Sequence, residues 1–234
     1  MNSYAYDYTV YYGLTMLAIL ITFGAQLYIK AVYAKYSQIP NKSGFSGVRT
    51  ANEIMIRNGL EPIIRESGTY LTDHYDPRDK SVTLSPTNYE NASIASLAIA
   101  AHECGHALQD RDSYAFLKVR ASLLPVANFA SFAGYLAIMM GVLFDMVNVI
   151  WLGILMECVI LLFQLVTLPI EFNASARGLV QIQECGLADS EEMDGAKKVL
   201  RAAALTYVAG VASTVLQVLR LVLVYGRRGN RRDY

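Results

Sequence analysis

Between Arg120 and Glu171 the sequence contains no basic residue, and only Asp145 and Glu157 interrupt an otherwise apolar run. Crossing a hydrocarbon layer of ~30 Å takes about 20 apolar residues at about 1.5 Å each, and this stretch holds enough for two passages. The pattern predicts a helical hairpin, with spans at about 123–144 and 149–170 and a turn near Asp145 and Asn148. Tyr11 to Ile29, nineteen residues without a charge, predicts a first span at about 11–29. A fourth falls at about 202–225, with Arg220 near its end, from where its side chain can snorkel. Charge is withdrawn from these stretches and not thinned evenly. Only 17% of the chain is charged, against about a quarter in soluble domains.

Twenty basic residues cancel twenty acidic ones, so the excess of positive charge that drives nucleic-acid binding is missing. Cys104, Cys158 and Cys185 are odd in number and widely spaced, which argues against a disulfide framework. The leader MNSYAYDYTV has no basic region of the kind that opens a signal peptide, and the first span is expected to be an uncleaved anchor with a tyrosine collar. Eleven basic residues from Lys30 to Arg120 lie between the first and second spans, and Arg177, Lys197, Lys198 and Arg201 lie between the third and fourth. Lys and Arg collect on the cytoplasmic side of membrane proteins, which puts 30–122 and 171–201 in the cytoplasm of a multi-pass protein of the cell membrane. The four arginines of the tail RRGNRRDY pull the other way and make the last segment the least secure.

The only Gly/Ser/Pro-rich connector, Ser37 to Gly47, opens the polar part. Val48 to Asn58 places Val48, Ala51, Ile54 and Met55 at helical spacing with Gly59 as a stop. TYLTDHYDP and KSVTLS read as a β-hairpin turning across Asp76 to Asp79. Ser93 to Gln109, rich in alanine and leucine, is expected to be helical and carries His102-Glu103-Cys104-Gly105-His106. One helical turn brings His102 and His106 onto one face, where two imidazoles can converge on a zinc ion. Glu103, to one side of the pair, is placed to take a proton from the attacking water and return it to a leaving amine. Gly105 leaves room for a neighbouring helix to bring in another ligand.

A catalytic zinc takes a third protein ligand and keeps a position open for water. The third span has to return to the boundary at which the histidine helix ends, and the first acidic residue there is Glu171, in LPIEFNASARG. Asp110, Glu90 and His74 remain the alternatives. The fold class expected is a mainly α integral membrane protein of about four transmembrane helices. It carries a small cytoplasmic α+β metallopeptidase unit with a β-hairpin and the HExxH helix, the whole forming one membrane-embedded domain over 1–234.

TDHYDP at Thr72 to Pro77, VTLS at Val82 to Ser85, SIASLAIAAHECGHALQ at Ser93 to Gln109 and FQLVTLPIEFNAS at Phe163 to Ser175 resemble the YugP-like integral-membrane zinc metallopeptidases. These are similar in pattern to the gluzincins, in which HExxH is followed by a distant glutamate. The resemblance implies one catalytic Zn2+ held by His102, His106 and Glu171, with Glu103 as general base. The partners expected are a polypeptide substrate, with membrane proteins as one candidate class, and the lipid bilayer. Cys104 stands where an aliphatic residue is common, and Asn173 where aspartate is expected. By analogy, KSVTLS would be an edge strand that pairs with an extended peptide. A plain structural strand is the other reading.

His74 is a candidate donor to an oxyanion or a structural histidine. Ser175 is a candidate to orient a ligand, and Arg177 to bind a phosphate headgroup or a substrate carboxylate. Glu157, inside the third span, shares a helical face with Gln164, so a polar stripe toward the bundle interior accounts for both. The function expected is hydrolysis of peptide bonds at the cytoplasmic membrane face by a zinc-activated water. The alternative is a non-catalytic zinc-binding membrane scaffold or assembly factor, against which the intact Glu103 argues. No oligomeric state follows from the sequence.

Overall fold

A computed structural model describes residues 3–69 and 72–229. Arg231 and Arg232 of the basic tail, and Tyr70 and Leu71 of the first predicted strand, lie outside the described residues. In chain order the elements are α1 (Ser3–Tyr36), α2 (Gly47–Arg57), β1 (Ile63–Glu66), β2 (His74–Asp76), β3 (Ser81–Leu84), α3 (Pro86–Glu90), α4 (Ile94–Arg111), α5 (Ala115–Leu143), α6 (Val147–Glu184) and α7 (Ser190–Gly229). Helices α1, α5, α6 and α7 are long and apolar enough to cross a membrane. The molecule is a mainly α membrane protein with a small α+β part. The chain divides into two compact units, one of residues 1–26, 118–168 and 206–234, the other of 27–117 and 169–205.

The first unit is built from the apolar segments. Helix α5 ends at Leu143 and α6 begins at Val147, and the turn between them is closed by Asp145 at φ 52°. Asn148, expected in the turn, lies inside α6. The two helices approach through glycines: a Cβ on Gly141 would stand 2.5 Å from Ile150 Cγ1, and one on Gly153 2.5 Å from Ile138 Cγ1. Small residues let helix backbones come this close in lipid, where no water drives association. Phe129, Phe132 and Leu143 on α5 are each about two-thirds exposed, an apolar surface suited to acyl chains.

Some polar groups inside this unit find partners, and others do not. Gln217 Nε2 of α7 donates to Glu157 Oε1 of α6 at 2.7 Å, so the intramembrane carboxylate has a packing explanation. Gln164, seven residues on, keeps a buried Oε1 without a hydrogen bond, so the stripe is only half satisfied. Arg220 donates through Nη1 to Thr15 Oγ1 at 2.7 Å and lies over the Tyr11 ring at 4.6 Å. It reaches across to α1, a partner that the sequence could not name when it placed Arg220 at a helix end.

The second unit has its own core, in which Ala51, Ile54, Val82, Leu84, Leu97, Ala98 and Ala101 are all fully buried. Helix α2 forms as its apolar spacing predicts and stops at Asn58 and Gly59, the glycine at φ +69° where a side chain would be strained. Strands β2 and β3 pair antiparallel, Tyr75 opposite Val82, as the hairpin expected. The sheet contains a third strand: β1 pairs parallel with β3, Ile64 opposite Val82, and the order is β1-β3-β2. This overturns the edge position expected for KSVTLS. Both edges of Ser81–Leu84 are occupied by the chain's own strands, so it has no free edge to offer a peptide. β1 escaped detection because IIRE is only four residues long and does not alternate.

Candidate metal centre

Helix α4 starts at a conventional cap, the Ser93 side chain accepting from the Ser96 N–H at 3.1 Å. It is buried on almost every side, which suits its run of alanines. His102 and His106, one turn apart, project from it with ring centroids 4.8 Å apart and planes at 84°. Glu171 comes from α6, where the helix continues past its apolar run. Its Oε2 lies 3.4 Å from His102 Nε2 and 3.7 Å from His106 Nε2. The three ligand atoms fall within 4.8 Å of one another, the one such group of His, Cys, Asp and Glu among the described residues.

Glu171 can reach the histidines because two glycines let the helix backbones touch. A Cβ on Gly105 would sit 2.2 Å from the Ala174 carbonyl oxygen, and one on Gly178 would sit 2.6 Å from the Ala101 carbonyl oxygen. Gly105 therefore has the use its position between the histidines suggested. Gly178 is its counterpart on α6 and was not anticipated; its signal, a glycine seven residues after the expected ligand on the same helical face, is readable only with hindsight.

Does this group fit a cation? Glu171 Oε2 is buried and has no hydrogen-bond partner, an expensive arrangement for a carboxylate. Ligands bound tetrahedrally at about 2.0–2.1 Å stand about 3.3–3.4 Å apart, close to the separations between the glutamate oxygen and the two Nε2 atoms. Two imidazoles and a carboxylate are also a zinc donor set. The residues fit the ion.

Charge around the site follows the same logic. Burial, the largest influence, raises the Glu103 carboxyl above its ordinary range, and His102 and His106 beside it pull the other way without prevailing. Burial works to lower the pKa of His106, but the adjoining carboxylates of Glu171 and Glu103 outweigh it and leave the pKa raised. The carboxylates beside His106 favour positive charge there. Glu103 itself is buried and shares the helix with both histidines, one residue from His102.

Outer contacts orient the imidazoles. His102 Nδ1 lies 3.1 Å from Ser175 Oγ, the contact anticipated for Ser175. His106 Nδ1 lies 3.0 Å from Gln109 Oε1, a residue that attracted no attention in the sequence. Asn173 Oδ1 accepts from Gln109 Nε2 at 3.0 Å and from Arg177 Nε at 2.8 Å. Arg177 also donates to Asp112 Oδ2 at 2.5 Å and to the Leu108 carbonyl at 3.4 Å, so it ties α6 to the end of α4 and is not held out for a headgroup or substrate carboxylate.

The alternative third ligands lie elsewhere. Asp110 accepts from the Tyr75 hydroxyl at 2.9 Å, His74 is exposed with Nδ1 2.7 Å from the Thr72 carbonyl, and neither they nor Glu90 join the group. Cys104 is fully buried with Sγ 3.7 Å from the Ala51 carbonyl on α2, so a thiol substitutes for an aliphatic residue at a packing position.

A multi-pass membrane protein with an HExxH helix and a converging glutamate is the architecture of an integral-membrane metallopeptidase. The chain belongs to the family described as "Putative neutral zinc metallopeptidase", whose model matches residues 11–226. It is 42% identical over 214 residues to "Putative membrane protease YugP" of Bacillus subtilis (strain 168), covering 91% of this chain and 95% of that one. No solved structure matches the chain.

Proposed function

We propose that the protein is a zinc-dependent peptidase of the cell membrane that hydrolyses peptide bonds at the cytoplasmic face, with His102, His106 and Glu171 as metal ligands and Glu103 as general base. The observation that carries this reading is the buried, unpartnered Glu171 oxygen facing two Nε2 atoms at 3.4 and 3.7 Å. Zinc held there supplies Lewis acidity, bringing the pKa of water toward neutrality and polarising a carbonyl. Glu103 takes the proton of the attacking water and hands it to the leaving amine, a shuttle supported by its place on α4 between the two histidines. The polypeptide substrate class follows from this chemistry and from the relative's name.

The placement proposed is one membrane-embedded domain with spans at about 11–29, 123–144, 149–170 and 202–225 and catalytic regions 30–122 and 171–201 in the cytoplasm, on fifteen basic residues against four in the tail. Metal analysis together with casein or peptide hydrolysis tests the activity: Glu103→Gln is expected to keep one zinc per chain and lose turnover. Zinc-free wild type, or unchanged hydrolysis by Glu103→Gln, refutes it. Membrane-impermeant labelling of Asp145→Cys from outside, with no labelling of Arg57→Cys, tests the orientation.

A further inference from the structure

Gln109 is fully buried, and its amide can be oriented without ambiguity. One end lies 2.8 Å from the Ile170 carbonyl oxygen, which can only accept, so that end is the NH2 group. The same nitrogen donates to Asn173 Oδ1 at 3.0 Å, and that oxygen is identified in turn by the Arg177 Nε–H, which can only donate. The far end of Gln109 is therefore an oxygen, and it faces His106 Nδ1 at 3.0 Å. An amide oxygen cannot donate, so Nδ1 carries the proton and the lone pair of a neutral His106 sits on Nε2, the atom turned toward Glu171.

The opposite histidine lacks this constraint. His102 Nδ1 faces Ser175 Oγ, a hydroxyl that rotates to donate or accept and so imposes no tautomer. Gln109 does a second thing that Ser175 does not. By holding the carbonyl of Ile170, the residue next to Glu171, it sets how far α4 and α6 slide along each other.

We propose that Gln109 is a positioning residue of the metal centre: it selects the Nε2-ligating tautomer of His106 and, through Ile170 and Asn173, holds the Glu171-bearing helix in register with it. This rests on the zinc reading given above. Partners of this kind around metal-bound histidines contribute about 10–100-fold in metal affinity. Asn173→Asp offers an acceptor to the same two donors and is compatible with the arrangement.

The test uses full-length protein in detergent. Zinc affinity is measured by competition with a chromophoric chelator for wild type, Gln109→Leu and Ser175→Ala, with helix content and monodispersity as controls for folding. Histidine 15N NMR follows the zinc-loaded forms, a tractable experiment with three histidines in the chain. Gln109→Leu is expected to bind zinc about 10–100-fold more weakly, a larger loss than Ser175→Ala, and to lose the hydrogen-bonded Nδ1–H signal of His106.

Unchanged zinc affinity in a folded Gln109→Leu overturns the proposal, as does wild-type His106 bound through Nδ1. Wild type that binds no zinc overturns the zinc reading itself, an outcome separate from any difference between variants.

Discussion

Replacing Gly105 with alanine adds one methyl group at the closest approach of α4 and α6. Its carbon would stand 2.2 Å from the Ala174 carbonyl oxygen and 2.9 Å from the carbonyl carbon, against ordinary contact at 3.4 Å or more, and both atoms are backbone. No side chain can swing aside, so the helices must part by roughly 1 Å. Two terms then compete in stability: alanine favours the helix over glycine by about 1 kcal/mol, and overpacking costs about 1–3 kcal/mol. The net change is a modest loss of about 0–2 kcal/mol, leaving a folded protein.

The site is less forgiving, because functional groups tolerate only about 0.5 Å of displacement. A shift near 1 Å is expected to cost on the order of 10²-fold in kcat/KM, with zinc affinity falling alongside. Melting in detergent, chelator competition and peptide hydrolysis measured on the same preparation separate the terms. A folded Gly105→Ala with wild-type zinc affinity and turnover refutes the idea that backbone contact between α4 and α6 delivers Glu171.

Gly178→Ala, whose Cβ would lie 2.6 Å from the Ala101 carbonyl oxygen, is relieved by the same parting of helices, so the double variant with Gly105→Ala should lose less zinc affinity than the sum of the two; strict additivity shows two independent local adjustments. Glu171→Gln should lose zinc, since it removes the anionic oxygen that faces the two Nε2 atoms; wild-type zinc affinity in the folded variant contradicts this. Asp112 is held at a pKa of about 2 by hydrogen bonds from Arg111 and Arg177, below its ordinary 3.8, so its contribution is present above pH 4 and is lost as pH falls from there through 2. Asp112→Asn should therefore cost less than about 1 kcal/mol at neutral pH, as expected of a partly exposed pair, and chemical denaturation curves of variant and wild type should converge only below pH 2.

The parts of this molecule visible in the sequence are those governed by short-range periodicity. His102 and His106 are readable because i and i+4 share a face whatever the fold, and the four apolar helices because their length alone is diagnostic. Glu171 was reachable by one topological step, the return of a hairpin. What stayed hidden depends on pairings across long stretches of chain. The position of β3 inside the sheet could not be inferred without β1, four residues whose only recommendation is the strand they pair with. Arg177 looked available for a ligand because Asp112 and Asn173 meet it only once α4 and α6 are packed. Gln109 reads as an ordinary polar residue near a helix end until the Ile170 carbonyl is set against it.

An HExxH sequence supplies two ligands and a base on one helix, but it cannot determine where a third ligand arrives. In the site proposed, that is decided along the seam between α4 and α6 by groups outside the ligand set. Gly105 and Gly178 govern the distance between the helices, bringing backbone against backbone where side chains usually hold helix axes about 8–10 Å apart. The Gln109 amide governs how the helices slide and how the His106 ring is turned. A chain with leucine at 105 would keep the motif letter for letter, yet its α6 could not approach, and Glu171 would remain an ordinary glutamate at the end of an apolar run. The identity of the proposed metal centre therefore resides as much in the seam as in the motif, which is why a five-residue pattern alone underdetermines it.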